Sequence, residues 1–345
     1  MAHAWKACWV KALGGSNPPS SASSCNQRIK REIRFSVSKF WIGKLGGPLR
    51  VRKANERRVE VFLKGGLGNQ LFQYAAARGL ASHVGAERLI LNLSYLHKPI
   101  QLLKSVSVRS FELAPFVHHP ITEIHKGSYR QAFRQQANKS NLFSSENRIY
   151  RDKDEVYDDG FWKSEASVVL EGYFHSHRYF ENVEDSLRRE LRGAYSGITN
   201  QSDLFQKRRE SNSLGVHVRR GDYLTNGRYQ ILTSNYYEQA IETGLSESAA
   251  TSVYFFSDDP EWLRNQSFAR LGTVISDQQL SGLEEFLLLS SCDHFVIANS
   301  SFSWWAAWLG ENPKKRVYAP HEWFTKPSST PESYFPSGWT RVPVA

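Results

Sequence analysis

The sequence predicts an α/β protein with two halves, each a parallel sheet covered by helices. Short apolar runs typical of strands alternate with longer segments of helical composition, first before residue 212 and again, more regularly, after it. Such alternation is typical of parallel strands joined by crossover helices. A chain of 345 residues also has room for about two domains of ordinary size. We therefore expect two Rossmann-like domains that face each other across a cleft.

Residues 1–58 differ from the rest of the chain in charge and complexity. They carry 13 Lys and Arg against 2 Asp and Glu, whereas residues 59–345 carry 31 basic and 32 acidic residues. The basic residues show no periodicity, and residues 14–21 have the composition of a linker. We expect residues 1–58 to be a disordered or mis-called leader. Because the remainder is nearly neutral, we expect no nucleic-acid binding.

Cysteine usage and hydropathy bear on the location of the protein. Three cysteines, at positions 8, 25 and 292, form no disulfide framework, which fits a reducing compartment. The sequence has no run of about 18 apolar residues that would predict a membrane span. We expect a cytoplasmic protein, and peripheral contact with the inner membrane stays open.

The first half opens with a β-turn-α-β unit. A strand at 59–63 leads through a glycine-rich turn into a helix at 71–80, and a second strand follows at 88–91. The backbone N–H groups of such a turn can hold an anion or a sugar hydroxyl. The candidate binding residues are Gly66, Gly68, Asn69 and Gln70. The dinucleotide fingerprint is incomplete because Leu71 replaces its third glycine, so an ordinary tight turn is the alternative.

Residues 94–150 show no clear pattern. Asp152 and Asp154 match the two-aspartate pattern of metal-dependent sugar transferases, but no strand precedes them, so we expect no metal site. A strand is predicted at 168–174, and its edge carries Tyr173, His175 and His177, which suit either a sugar-lined cleft or a polar loop.

Two further predictions complete the first half. The pattern at 179–191 predicts an amphipathic helix. Residues 200–212 read as a polar connector into the second half.

The second half alternates strands and helices. Strands are predicted at 214–218, 253–256, 273–276, 294–298 and 316–320, the last of the chain. Between them, helices are predicted at 233–244, from Ser281 through 289, and at 304–308. Ser281 and Glu284 form a capping box, and Asp258 or Asp259 can cap a helix that begins at Pro260.

A possible phosphate clamp follows the strand at 214–218. The strand ends in Arg219, Arg220, Gly221 and Asp222, at the sheet edge where ligands of α/β proteins bind. Arginine grips phosphate through two N–H groups at once. A solvated basic loop is the equally weighted alternative.

Four motifs together carry a resemblance to a known family. They are residues 64–74 (KGGLGNQLFQY), 217–223 (HVRRGDY), 256–259 (FSDD) and 298–305 (ANSSFSWW). In this order and spacing, over residues 59–345, they resemble the inverting α-1,2-fucosyltransferases of glycosyltransferase family 11, bacterial type.

The resemblance implies a GT-B-like α/β fold with an acceptor domain at 59–212 and a donor domain at 213–345. It further implies GDP-β-L-fucose as donor, the 2-hydroxyl of a terminal galactoside as acceptor, and no required metal or other cofactor. Animal members of the family carry an N-terminal membrane anchor, which the leader of this sequence does not resemble.

The resemblance also suggests roles for single residues. Arg219 corresponds to the arginine that contacts the pyrophosphate, and His217, on the same strand face, would hold this arginine or the phosphate. Asp258 would accept two hydrogen bonds from guanine, unless it is a plain helix cap. Ser300 and Ser301 would bind phosphate oxygens at a helix N-terminus, unless they only cap it.

The remaining functional assignments are less direct. Asp222 is a candidate for the base that takes the acceptor proton, together with Arg219 and His217 in the catalytic set. Trp304, Trp305 and Trp308 are expected in the core and not as a sugar platform. Two alternatives stay open: transfer from another nucleotide-sugar on the same fold, and a nucleotide- or glycan-binding protein without turnover.

Overall fold

The computed structural model describes residues 56–97, 109–128, 148–152, 156–164, 167–193, 203–276, 280–326 and 330–344. The expected leader, apart from residues 56–58, lies outside these ranges, as does Asp154. Residues Asn55–Ala345 form one compact unit.

Eleven strands and seven α-helices are described. The strands are β1 Arg58–Phe62, β2 Arg88–Asn92, β3 Thr122–His125, β4 Arg148–Arg151, β5 Val168–Glu171, β6 Ser213–Val218, β7 Ser252–Ser257, β8 Thr273–Val274, β9 His294–Val296, β10 Val317–Pro320 and β11 Thr340–Val342. The helices are α1 Leu67–His83, α2 Glu184–Gly193, α3 Asp203–Arg209, α4 Ser234–Ser248, α5 Pro260–Arg264, α6 Gly282–Ser290 and α7 Ser301–Leu309.

The strands form two sheets with parallel pairing throughout. One sheet has the order β3-β2-β1-β5-β4, and the other has the order β11-β10-β9-β6-β7-β8. The α/β, GT-B-like architecture expected from the sequence is confirmed. The division into domains at residue 212 stays a prediction.

Each sheet has one point at which the strand order reverses. In the first sheet β1 lies between β2 and β5, and in the second β6 lies between β9 and β7. Crevices at the carboxyl ends of strands beside such points are the usual ligand sites of open α/β sheets. The segments after β1 and β5, and after β6 and β9, are therefore the places to look for function.

The structure differs from the predicted elements in several places. Helix α1 begins at Leu67, inside the glycine-rich turn, and α3 interrupts the expected polar connector. β11 follows β10, so the strand at 316–320 is not the last. β5 ends at Glu171 because Asp152 Oδ2 accepts hydrogen bonds from Tyr173 N (3.1 Å) and Phe174 N (2.7 Å), which turns the chain.

The N-termini of α1 and α7 touch. A Cβ atom at Gly68 would lie 2.3 Å from the carbonyl carbon of Ser301, so only glycine permits this approach. Behind the contact, Phe72 packs on Trp304 and Trp305 with ring centroids 4.5 and 5.1 Å apart. One apolar core therefore joins the two sheets, and the three tryptophans of α7 are buried in it, as expected.

The C-terminal end of α7 is held by three basic side chains, and burial lowers the pKa of one of them, Lys315, to about 7. Lys315 Nζ donates to the carbonyls of Ala307 (2.8 Å), Trp308 (2.9 Å) and Gly310 (2.9 Å). From α2, Arg192 Nη2 donates to Leu309 O (2.8 Å), and Arg188 donates to Trp308 O. Cations at this end of a helix complement its dipole.

None of the described helices is both long and apolar enough to cross a bilayer.

Candidate functional site

A large cavity lies between the carboxyl ends of the two sheets. Its volume is about 1260 Å³, which exceeds the roughly 300–1,000 Å³ of an ordinary small-ligand pocket. We call the lining residues that fall within 64–69, 95, 109–115 and 173–175 the first wall. The lining residues that fall within 217–229, 257–258, 282–285, 300–302 and 323 form the second wall.

Nearly all of the residues selected from the sequence line this cavity. They are Gly66, Gly68, Asn69, His217, Arg219, Asp222, Asp258, Ser300 and Ser301. Gln70 does not line it and is fully buried. Tyr173 and His175 line it, whereas His177 lies outside the lining. Four sequence motifs that are far apart in the chain thus meet in one place.

Arg219 is fixed at the carboxyl end of β6 by two carboxylates. Its Nη2 lies 2.5 Å from Asp222 Oδ1, and its Nη1 lies 3.0 Å from Asp258 Oδ2. Its Nε is buried, and no hydrogen-bond acceptor for it occurs among the described residues. The guanidinium is thus oriented before any ligand binds, with one buried N–H group still to be satisfied.

His217 is a neutral side chain of the second wall. Burial, aided by the nearby charge of Arg219, lowers the pKa of His217 to about 3. Its ring stacks on Phe302 with centroids 5.3 Å apart. Its Nδ1 is buried and has no hydrogen-bond partner in the described part of the chain. An imidazole in this state offers a hydrogen bond and not a counter-charge.

The two aspartates of the 256–259 motif have different partners. Asp258 Oδ1 accepts a hydrogen bond from Arg220 N (2.9 Å), so both carboxylate oxygens of Asp258 hold the loop after β6. Asp259 caps α5 through Trp262 N (3.1 Å) and pairs with Arg220 Nε at 3.3 Å. Arg220 therefore faces away from the cavity and is absent from its lining. Guanine binding by Asp258 stays a prediction.

Asn69 connects the two walls. Its Oδ1 accepts hydrogen bonds from Ser301 Oγ (2.8 Å) and from His175 Nε2 (3.0 Å). The amide oxygen can only accept, so His175 carries a hydrogen on Nε2. Ser300 caps α7 by accepting from Phe302 N at 3.3 Å. Both serine hydroxyls thus already have protein partners, and phosphate binding by them stays a prediction.

The N-terminus of α1 is occupied by a side chain of the protein itself. Glu112 Oε2 accepts from Leu67 N at 3.0 Å. Gln70 ties the turn to the same segment: its Nε2 donates to Gly65 O and to Ser110 O, each at 2.8 Å, and its Oε1 accepts from Glu112 N at 3.0 Å. The first wall therefore presents a carboxylate where the sequence suggested a site for an anion or a sugar hydroxyl, and Gln70 supports the turn from behind.

Sequence reasoning missed three ionisable residues of the cavity. Arg109 Nη2 lies 3.8 Å from Asp222 Oδ2, across the cleft. Burial raises the pKa of Glu112. Burial, and then the charge of Asp258, raise the pKa of Glu285 to about 7.

The sequence held a signal for only one of them. The capping box at Ser281 could have drawn attention to Glu285, which lies in the first turn of the helix that it caps. Arg109 and Glu112 lie in the segment without periodicity.

Asp152 has a structural task in the loop after β5, described above. Among the described residues, no group of three or more His, Cys, Asp or Glu side chains is arranged to hold a metal ion.

A comparison with known protein families identifies the class of protein. The family model described as Glycosyl transferase family 11 matches residues 36–342. The protein is therefore a glycosyltransferase. More particularly, it belongs to glycosyltransferase family 11.

Curated relatives agree with this assignment. An alpha-1,2-colitosyltransferase of Escherichia coli is 30% identical over 299 residues, which cover 81% of this chain and 97% of that protein. The O-antigen biosynthesis glycosyltransferase WbnK of Escherichia coli is 28% identical over 76% of this chain and 93% of that protein. The galactoside 2-alpha-L-fucosyltransferase SEC1 of Bos taurus is 26% identical over 81% of this chain and 72% of that protein.

Among solved structures, the fucosyltransferase NodZ from Bradyrhizobium aligns with a TM-score of 0.41 at 17% identity. The alignment covers 73% of this chain and 92% of that chain.

Proposed function

We propose that the protein transfers L-fucose from GDP-β-L-fucose to the 2-hydroxyl of a terminal galactoside, with inversion, to form an α-1,2 linkage. Two relatives are named for α-1,2 or 2-α transfer of a deoxysugar. The observation that carries the proposal is a pair of buried, unsatisfied groups on β6 and at its end: Arg219 Nε and His217 Nδ1. Both belong to residues that line the cavity.

The leaving diphosphate determines what the second wall must do. Negative charge grows on the β-phosphate as the bond from fucose to oxygen breaks. A cation that is already oriented at that oxygen lowers the barrier by several kcal/mol. Arg219 fits this role because Asp222 and Asp258 fix its plane at distances of 2.5 and 3.0 Å. We expect the diphosphate to replace Asp222 on Nη2, where it gains a bidentate contact.

His217 would assist as a hydrogen-bonding group. Its lowered pKa keeps it neutral at physiological pH, so it orients the diphosphate without adding charge. The galactoside would enter along the first wall, where Tyr173, His175 and Arg109 offer an aromatic face and donors. The first wall would thus be the acceptor side and the second wall the donor side, as the resemblance implies for residues 59–212 and 213–345.

A second donor is favoured by one specific observation. The relative at 30% identity is named for colitose, which is L-fucose without its 3-hydroxyl. Transfer from GDP-colitose is therefore the alternative. Competition between the two GDP-sugars decides it: the true donor has the higher kcat/KM by at least about tenfold, which corresponds to roughly 1.4 kcal/mol.

We further propose that no metal is required, since Arg219 and the neighbouring dipoles would meet the developing charge. A cytoplasmic location and contact with the inner membrane remain predictions of the sequence.

The proposal is tested with the full chain, GDP-fucose and a panel of β-galactosides, with EDTA present. We expect galactoside-dependent release of GDP and a new bond to the galactose O2, at a rate unchanged by EDTA. A rate restored only by Mg²⁺ or Mn²⁺ would contradict metal independence. Binding of GDP without turnover on any acceptor would favour the non-catalytic alternative.

A further inference from the structure

An inverting transfer imposes a geometric demand on the base. The acceptor oxygen attacks the anomeric carbon from the face opposite to the leaving phosphate. The group that takes its proton must therefore stand on the acceptor side. In the proposed function, on which this inference rests, the phosphate lies against Arg219 of the second wall. The base is then expected on the first wall.

Glu112 is a carboxylate of the first wall that lines the cavity. Its Oε2 accepts the hydrogen bond from Leu67 N at 3.0 Å, which fixes the side chain. Gln70 holds the backbone of the same residue at Glu112 N, also at 3.0 Å. Glu112 is thus held at its carboxylate and at its backbone. A side chain held in this way suits proton transfer, which requires a defined distance to the acceptor oxygen.

The electrostatic surroundings of Glu112 suit a base. Burial raises the pKa of Glu112, which strengthens it as a proton acceptor, while the N–H of Leu67 and the charge of Arg109 oppose the rise. Arg109 in turn lies 3.8 Å from Asp222, the partner of Arg219. Two side chains thus link Glu112 to the phosphate clamp.

Two other carboxyl groups are less well placed. Asp222 lies on the same loop as the clamp, with its Oδ1 2.5 Å from Arg219 Nη2. Glu285 belongs to the second wall, where the charge of Asp258 acts on it. Both stand on the side of the leaving group.

We propose that Glu112 is the general base of the transfer. In this step Glu112 Oε1 takes the proton of the galactose 2-hydroxyl, and the galactose oxygen forms its bond to the anomeric carbon. The bond from the anomeric carbon to the β-phosphate oxygen breaks, and its electron pair leaves with GDP. The proton on Glu112 is returned to water after the product has left.

The test compares three matched changes of carboxyl to amide, Glu112→Gln, Asp222→Asn and Glu285→Gln, in the full chain. Glutamine keeps an oxygen that can accept from Leu67 N, so α1 stays capped. We expect Glu112→Gln to lower kcat for galactoside transfer by at least about 100-fold, the usual effect of a lost general base. GDP affinity and melting temperature should stay at their wild-type values. Glu112→Asp should recover part of the rate.

The pH profile supplies a readout that a structural role would not change. The acidic limb of kcat/KM should report Glu112 and disappear in Glu112→Gln. Arg109 is the charged group that faces it, and Asp222 lies beyond Arg109. Arg109→Gln removes a charge that lowers the pKa of Glu112, so the limb should move to higher pH. This shift decides the question even where Glu112→Gln does not fold.

Three outcomes would overturn the inference. They are transfer by Glu112→Gln within about threefold of wild type, a loss of transfer only in step with GDP binding, and an acidic limb that does not move in Arg109→Gln. If wild type itself transfers to no galactoside, the proposed function has failed. The inference about Glu112 fails only when wild type is active and one of the three results is observed.

Discussion

Each of the two walls presents the N-terminus of a helix to the cavity, and the two N-termini have different partners. In each, a helix begins after a parallel strand, α1 in the first wall and α7 in the second. At α1 the first N–H group is taken by the carboxylate of Glu112, whereas at α7 Ser300 caps the helix and Arg219 lies on the same wall. One helix N-terminus is thus already paired with an anion, while the other shares its wall with a cation.

A glycine turn before a helix therefore does not by itself make a phosphate site. The partial positive charge of a helix N-terminus attracts any anion, including one from the same chain. Where the chain supplies the anion, as Glu112 does at α1, the first N–H group of the helix is no longer open to a phosphate. The proposed function therefore places the diphosphate on the second wall, at Arg219, although Arg109 lies on the first.

Replacing the cation of the second wall is expected to have the largest effect. Arg219→Lys keeps a charge but loses the planar fork held by Asp222 and Asp258. We expect kcat to fall about 100- to 1,000-fold, measured as galactoside-dependent GDP release.

Arg220→Lys is the matched control, because Arg220 faces Asp259 and the ring of Trp262 and not the cavity. Near-wild-type turnover by Arg219→Lys would contradict the role proposed for Arg219. An equal loss of turnover in both variants would contradict the assignment of the diphosphate contact to Arg219 and not to Arg220.

Separating the walls should have the next largest effect. In Gly68→Ala the new methyl group would lie 2.3 Å from the backbone of Ser301, so α1 and α7 must move apart. We expect a loss of about 3 kcal/mol in the free energy of unfolding, measured by urea denaturation. Gly193→Ala is the control, since nothing lies within 4 Å of a Cβ atom there. Equal stability of the two variants would show that the walls tolerate a wider separation.

The buried imidazole of the second wall should make stability depend on pH. The folded protein keeps His217 neutral down to a pKa of about 3, whereas the unfolded chain protonates histidine near pH 6.5. The unfolded state therefore binds the extra proton between these values, and stability falls as the pH falls through this window. From pH 7 to pH 5 this group should cost about 2 kcal/mol.

His217→Gln should lose correspondingly less stability over that range, whereas His321→Gln, at an exposed position, should behave like wild type. Melting temperatures at both pH values check this. The same acid sensitivity in His217→Gln and wild type would mean that His217 is not the group responsible.

Much of the fold was predictable because the strands are apolar runs bounded by polar turns. β6, β7 and the capping box of α6 appear within a residue or two of their predicted places. β3 and β4 were missed because they have four residues each and β3 is only partly buried, so that apolar patterning is weak. Helix α1 was predicted to begin too late, since its first turn contains Gly68 and Asn69, which are poor helix formers.

The candidate site was predictable where a motif follows a strand. Arg219 and His217 could be selected because they stand at the carboxyl end of an apolar strand and because the motif at 217–223 resembles that of a known family. The strand alone left a solvated basic loop as an equal alternative. Glu112 and Arg109 could not, because their place in the cavity depends on a tertiary contact between residues 109–112 and the turn before α1. The ion pair of Asp258 with Arg219 could not be predicted either, because it depends on contact between the loops after β6 and β7.

Helix α7 has a consequence for protein engineering. Helix α7 lies within residues 213–345, but residues of the other half form hydrogen bonds with both of its ends. Asn69 contacts one end, and Arg188 and Arg192 contact the other. Its tryptophans also pack on aromatic rings from before residue 212. A fragment cut at residue 212 would expose this aromatic face to water. We therefore expect each half to aggregate when expressed alone and the two to regain a folded complex only when they are produced together.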